Sequence, residues 1–249
     1  MHYQFHDIKF QAAVGCHIEN RKDDADIAWV GGGSLISDKI ILTAAHVLWS
    51  PDYGRIRYAL LGTLNKKDNT GLLLNVINTL QHKLYNRKLN NKMYDIALLT
   101  LHERVKFNEF VRPICLPVSD RKINSELIIA GWGEINNKAE SSEKLLTGNI
   151  MENNVSCSNR LKNNFDPKTM ICAQGVYERK DSCKGDSGGP LMAIMTNLCC
   201  SYSIEGIVSF GQGRCGDNPV GVYTRVTAYL DWIVQNAWPD EWKKFNKKI

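Results

Sequence analysis

The chain never sustains an apolar run for long, and that most limits what it can fold into. Lys39 to Ala45, Leu72 to Leu80, Ile96 to Leu101, Leu127 to Trp132, Ser203 to Phe210 and Gly221 to Val226 are short and rich in β-branched or large apolar residues. Segments of that length and content read as strands, not helices. Turn chemistry at Ser50-Pro51-Asp52, Asp68-Asn69-Thr70-Gly71 and Gly211-Gln212-Gly213 punctuates them. Many short strands bury their faces only by closing into a barrel or stacking as a sandwich, so the fold class is all-β. The end of the chain differs. Val226, Leu230, Ile233, Val234, Ala237 and Trp238 recur at helical spacing, which predicts a helix over 227–238 with Thr227 as its cap and Pro239 as its stop. A length of 249 residues is still within reach of one all-β domain. The longest apolar candidate, Ile40 to Trp49, is broken by Thr43 and His46 and falls well short of the roughly 18 residues of a membrane span. A net charge of +5, from 31 basic and 26 acidic residues, is too mild and too mixed for a nucleic-acid binder.

The eight cysteines are Cys16, Cys115, Cys157, Cys172, Cys183, Cys199, Cys200 and Cys215. No CxxC pair occurs, which argues against zinc ribbons and thioredoxin-type redox sites. An even number at wide spacing points to disulfides and an oxidising compartment. Met1 to Phe10 has no apolar core of the kind a signal peptide needs. The two observations agree if further residues precede Met1.

Three short stretches carry chemistry. Gly185-Asp186-Ser187-Gly188-Gly189-Pro190 sets a serine in a tight glycine-rich turn where backbone N–H groups can converge. It also satisfies GxSxG, but Pro190 and a further apolar strand follow it, not the helix of an α/β-hydrolase elbow. A base poised near working pH must be a histidine. Of His2, His6, His17, His46, His82 and His102, His46 stands out because Leu42-Thr43-Ala44-Ala45 brings it to the end of an apolar strand. Asp95, in Tyr94-Asp95-Ile96-Ala97-Leu98-Leu99, is a single charge opening a buried strand, where a carboxylate needs a partner.

In the order His46, Asp95, Ser187, these motifs resemble the chymotrypsin/trypsin-type serine proteases, with a weaker likeness to the arthropod clip-domain, snake-like group. Gly32-Gly33-Ser34-Leu35-Ile36-Ser37, Arg112-Pro113-Ile114-Cys115-Leu116-Pro117, Gly131-Trp132-Gly133 and Gly221-Val222-Tyr223-Thr224 extend the resemblance over nearly the whole chain. It implies two six-stranded antiparallel barrels, about 10–112 and about 113–225, with Arg112-Pro113-Ile114 as the crossover. It implies His46, Asp95 and Ser187 as the catalytic triad, and the N–H groups of Gly185 and Ser187 as the oxyanion hole. Ser209 would bond the buried Asp95. Asp181, six residues before the nucleophile, would floor a pocket selecting Arg or Lys, walled by Gly211 and Gly221. No cofactor or metal is expected; the loop Thr63 to Gly71 lacks the paired carboxylates that bind calcium in some relatives. Partners would be protein substrates and protein inhibitors, with secretion as the implied localisation.

The resemblance also implies bridges Cys157–Cys172 and Cys183–Cys215. Gly31 and Val47 stand where one family bridge would be, and Leu127 and Ala193 where another would be. Cys16, Cys115, Cys199 and Cys200 are left over, with Cys115 at the position that bonds a regulatory pro-segment in two-chain relatives. Met1 begins about where the family's activation start, Ile/Val-Val-Gly-Gly, should have ended. The freed amine there normally pairs with Asp186, so residues 1–249 are expected to fold with little activity. The alternative to an enzyme is a catalytically silent homologue acting as a binding or regulatory module. Asn154-Val155-Ser156 is a glycosylation sequon. His82, Lys83, Arg87, Lys88 and Lys92 form a basic stretch, read as a solvated loop or, in the minority reading, as an exosite for an acidic partner.

Overall fold

Six of the thirteen described strands lie where the sequence pattern puts them, at Ile40–Thr43, Leu72–Gln81, Ala97–Leu101, Leu127–Gly131, Tyr202–Gln212 and Val220–Arg225; the pattern does not mark the other seven. The computed structural model describes residues 8–18, 27–68, 70–89, 92–118, 126–134, 141–175, 182–195, 201–212 and 220–246. Seven strands come first: β1 (Gln11–His17), β2 (Ile27–Leu35), β3 (Ile40–Thr43), β4 (Trp49–Ser50), β5 (Gly54–Leu61), β6 (Leu72–Gln81) and β7 (Ala97–Leu101). They lie in the order β1-β2-β3-β7-β6-β5-β4, and β1 also pairs with β5. Six of them thereby close into an antiparallel barrel, and the two-residue β4 extends it. A second closed barrel, in the order β10-β13-β12-β11-β8-β9, uses β8 (Leu127–Gly131), β9 (Leu146–Glu152), β10 (Met170–Gly175), β11 (Pro190–Ile194), β12 (Tyr202–Gln212) and β13 (Val220–Arg225). The all-β, two-barrel architecture is the one expected.

Closure explains the unbroken apolar runs. β3 has all four residues buried, and so does every residue of β8. Each faces a barrel interior on one side and covering chain on the other, so alternation is lost. Leu127, Ile129, Ile150, Ile171, Leu191 and Tyr223 form a core of the second barrel. A larger cluster runs from Ile41, Leu42 and Leu99 through Ala130 and Met192 to Ile233 near the chain's end. Each fully buried side chain of this size contributes about 1.5–3 kcal/mol. The segment Arg112-Pro113-Ile114 does cross between the barrels. Arg112 N–H donates to Lys9 O (3.1 Å) and Ile114 N–H to Leu35 O (2.9 Å), and Ile204 N–H donates to Cys115 O (3.0 Å).

Several boundaries differ from the sequence reading. β3 ends at Thr43, not Ala45, and Ala45–Leu48 tightens into a 3-10 turn. The cause is polar: the His46 N–H goes to the Asp95 carboxylate, not to a neighbouring strand. After a 3-10 turn at Val226–Tyr229, helix α2 runs Leu230–Ala237 with Tyr229, not Thr227, at its N-cap. That helix stops just before Pro239, as expected, and Pro239 then opens a further helix, Pro239–Asn246. A first-turn position suits proline, whose missing N–H has no helical partner there anyway. β12 runs through Gly211 and Gln212, where a turn was expected; Gly213 lies outside the described residues, as does Asn69 of another expected turn.

Helix α1 (Asn154–Leu161) is capped by Asn153, whose side chain accepts from Ser156 N–H. Cys157 on α1 bonds Cys172 on β10, as expected. The sequon residue Asn154 has its side chain engaged: its Oδ1 accepts from Cys172 N–H (3.0 Å) and its Nδ2 donates to Glu152 (2.6 Å). A glycan on that nitrogen would cost the second bond. Cys183 is disulfide-bonded, and its expected partner Cys215 lies outside the described residues, as do Cys199 and Cys200. Cys115 is also disulfide-bonded. Cys16 is free and buried, and burial pushes its thiol up to about 11.

Candidate active site

The two barrels meet along a seam that only glycine permits. Gly32 N–H on β2 donates to Ser187 O (2.8 Å). A Cβ on Gly31 would sit 2.7 Å from that same oxygen. Gly188 has φ +80, and a Cβ there would lie 2.2 Å from Thr43 Oγ1. Both the left-handed backbone and the close approach therefore require glycine. The serine turn is thus clamped against β2 and β3, next to the 3-10 turn that carries His46.

His46 and Asp95 are joined by two hydrogen bonds. His46 N–H donates to Asp95 Oδ1 (2.9 Å), and His46 Nδ1 lies 2.8 Å from Asp95 Oδ2. Ser209 Oγ donates to the same Oδ2 at 2.5 Å, from the second barrel. Asp95 is fully buried. Burial pushes its carboxyl up, but the adjacent His46 and the hydrogen bonds from His46 and Ser209 outweigh it and hold the group below the usual carboxylate range. An ionised carboxylate only accepts, so His46 Nδ1 must carry a proton, and in the neutral ring the lone pair is then on Nε2. Tyr94, just before Asp95, has φ +60, a conformation that a bulky residue rarely adopts. The turn it makes delivers Asp95 to His46.

Ser187 is half-buried on the facing turn, and its hydroxyl makes no hydrogen bond to His46 in this structure. Loose contact between nucleophile and base is common before substrate arrives. Around it, Asp186 N–H donates to Cys183 O, Gly188 N–H to Val208 O and Gly189 N–H to Asp186 O. Among the described residues, the Gly185 and Ser187 N–H groups alone in this turn have no protein acceptor. They are the pair expected to receive an oxyanion. Gly185 adopts φ +96, which frees its N–H from the ladder.

Behind this turn, the Asp186 carboxylate accepts from Gly133 N–H (2.8 Å) and Cys183 N–H (2.9 Å). Burial pushes its carboxyl up; those two donors and the charge of Lys66 pull the other way. Gly131 and Gly133 leave room for it, since a Cβ on Gly131 would lie 1.9 Å from Asp186 Oδ1.

Asp181 lies outside the described residues. The walls it was expected to share are described: Gly211 and Gly221 are cross-strand partners on β12 and β13. Two further residues join this corner that sequence reasoning missed. Ser182 Oγ is 3.2 Å from the hydroxyl of Tyr223, which is fully buried behind Gly221. Thr224 was also missed; its Oγ1 donates to Asp95 O (2.8 Å) across the seam. Nothing local marks these residues, because their partners lie 41 and 129 positions away.

Residues 3–233 match the family model described as Trypsin. Serine protease Hayan of Drosophila melanogaster is 36% identical over 223 residues, 84% of this chain and 34% of that protein. CLIP domain-containing serine protease HP8 of Bombyx mori is 34% identical over 225 residues, 82% of this chain and 60% of that protein. The chain thus spans from a third to three fifths of these relatives' lengths. Among solved structures, neuropsin from mouse brain superposes with a TM-score of 0.76 at 27% identity, covering 93% of this chain and 96% of that one.

Proposed function

The chain belongs to the trypsin family of serine proteases, and from that premise we propose that it hydrolyses peptide bonds after Arg or Lys in protein substrates. One observation carries the proposal: a buried, ionised Asp95, hydrogen-bonded to His46, beside a serine turn with two unoccupied N–H groups.

In this reading Ser187 Oγ bonds to the carbonyl carbon, and its proton passes to His46 Nε2. The electron pair of the carbonyl moves to oxygen, which the N–H groups of Gly185 and Ser187 receive, each worth about 2.7–4 kcal/mol in such sites. His46 then gives the proton to the leaving amine as the C–N bond breaks, and water repeats the sequence to free the acid. Asp95 stabilises the imidazolium through Nδ1–H, and Ser209 and Thr224 fix Asp95 in turn. For specificity, Asp181 would pair with a basic side chain at the pocket floor, with the Ser182 and Tyr223 hydroxyls beside it and Gly211 and Gly221 leaving room. Secretion, protein inhibitors and a place in an extracellular proteolytic cascade complete the reading; the disulfides and the named relatives support it.

The test is active-site labelling with specificity. In protein carrying a processed Ile-Val-Gly-Gly start, a fluorophosphonate probe is expected on Ser187 and absent from Ser187→Ala, and Arg or Lys esters should turn over far faster than Phe esters. Full labelling of Ser187→Ala, or a preference for Phe, would refute the assignment.

A further inference from the structure

Beside His46 lies a cationic and aromatic surface that the proposed chemistry does not use. Its two parts are the short hairpin of β4 and β5, which follows the 3-10 turn bearing His46, and the loop between β6 and β7, which ends at Asp95. Trp49 is the cross-strand partner of Arg55. The Arg87 guanidinium stacks over the Trp49 ring at 4.6 Å, and its Nη1 donates to Trp49 O (3.0 Å). Lys83 and Lys88 stand on the same loop, exposed, and Arg55 and Arg87 are exposed too. The loop is not adrift. Tyr85 is buried against Ala45 and Ala97, so the cations are pinned next to the residue that precedes His46.

The charge of this surface is largely uncompensated: Asp52 on the hairpin is its one acid, and it is not paired with any of the four cations. From Leu72 to Tyr94 the sequence holds Lys83, Arg87, Lys88 and Lys92 and no Asp or Glu. Elsewhere on the surface Arg104 pairs with Asp38, and Lys67 with Glu143. No carboxylate among the described residues lies within 4 Å of Arg55, Lys83, Arg87 or Lys88. Four cations against the single carboxylate of Asp52 on the hairpin raise the local potential and draw negative charge toward them. Apolar side chains are interleaved with the cations: Trp49, Tyr53, Leu84 and Leu89 are 45%, 42%, 53% and 50% exposed. Exposed Trp and Tyr side chains beside arginine are what the buried centre of a protein contact is enriched in, and Leu84 and Leu89 add apolar area next to them.

The geometry points to a docking site, beside the catalytic seam, for an acidic segment of a protein substrate that also carries apolar side chains. A sulfated polysaccharide would satisfy the cations but leave Trp49, Tyr53, Leu84 and Leu89 wet, so the peptide is the occupant that uses the whole surface. Position favours the same choice, because a peptide held at His46 has flanking residues within reach of a surface built on the neighbouring turn. The inference rests on the proteolytic reading only for the source of the peptide. The contact itself can be measured without cleavage.

The experiment uses the full chain carrying Ser187→Ala, and a short fluorescein-labelled peptide rich in Glu and Leu, followed by anisotropy. Binding is expected, weakening as salt rises from about 50 mM to about 300 mM. Arg55→Glu with Arg87→Glu should lower the affinity at least about tenfold, whereas Lys67→Glu, on a different loop, should leave it unchanged. A Ser/Leu peptide without carboxylates should bind weakly. In the protein with Ser187 intact and a processed Ile-Val-Gly-Gly start, the double variant should keep its turnover of a small Arg ester, which separates loss of docking from loss of proteolysis. No binding by the acidic peptide, equal affinity in the double variant, or tight heparin binding that the peptide cannot displace would each overturn the proposal.

Discussion

Ser209→Ala removes one oxygen from a buried site, and its consequence can be worked through. The Ser209 hydroxyl is buried and donates to Asp95 Oδ2, which otherwise receives only the His46 Nδ1 proton. Hydrogen bonds to a charged group contribute about 1.5–3 kcal/mol, so roughly 2 kcal/mol of native stability should go with it at neutral pH. For a chain of this size that lowers Tm by about 4–8 °C. The loss must depend on pH. Asp95 has its folded pKa held below the ordinary 3.8, so its ionised form contributes stability above that value and loses it as pH falls through the folded pKa. Without Ser209 the folded pKa moves back toward 3.8. Wild type and variant should therefore differ most at neutral pH and converge as acid protonates Asp95 in both. Urea unfolding with disulfides intact, run at a series of pH values, measures it. A stability gap that stays constant from neutral pH down through the carboxylate range would show that Ser209 acts by packing alone, and the electrostatic argument would fall.

Two further expectations follow from geometry. Gly188→Ala puts a Cβ 2.2 Å from Thr43 Oγ1 at φ +80, so the seam must open; expected are a Tm fall of more than about 5 °C, from a cost of several kcal/mol, and loss of Arg-ester turnover, and a variant with wild-type Tm and turnover would contradict the clamp. Replacing Cys157 and Cys172 together by Ala opens a bridge of sequence separation 15 and should cost about 3 kcal/mol in chemical unfolding while leaving Ser187 labelling intact; an unchanged unfolding midpoint would show that the helix is held by its cap and Asn154 instead.

How much of this was legible in the sequence depends on the range of the contacts. Strands such as Leu127–Gly131 and Ala97–Leu101 were readable because burial in a barrel leaves an apolar run between polar ends. His46, Asp95 and Ser187 were readable because each sits in a local motif. The end of β3 was not, because a carboxylate 49 residues away takes the His46 N–H and ends the strand. Thr224 and Tyr223 looked like ordinary residues of a buried strand; their polar contacts exist only once β13 lies against Asp95 and Ser182. Pro239 follows the end of α2 as read, but the helix it opens was not read: proline both ends and begins helices, and the Trp242 N–H bond to Trp238 O carries the coil past it. The partner of Cys115 had no local signal, since spacing does not fix disulfide pairing.

The site therefore depends on how the barrels dock as well as on either barrel alone. His46 and Asp95 belong to the first barrel; Ser187, Ser209 and Thr224 belong to the second. Hydrogen bonds cross between them at the site, among them Ser209 to the Asp95 carboxylate, Thr224 to Asp95 O, Gly32 N–H to Ser187 O, and Gln11 Nε2 to Ala130 O. Two of these end on Asp95 itself, so a small slip of one barrel against the other strips donors from a buried charge. That is costly, because the low-dielectric interior offers no water in exchange. The ionised Asp95 thus acts as a lock on the relative position of the barrels, and the same lock sets the His46 tautomer. A perturbation that loosens the seam should then lower activity before it unfolds either barrel, since bonds holding the nucleophile turn to the base are fewer than those holding each barrel closed.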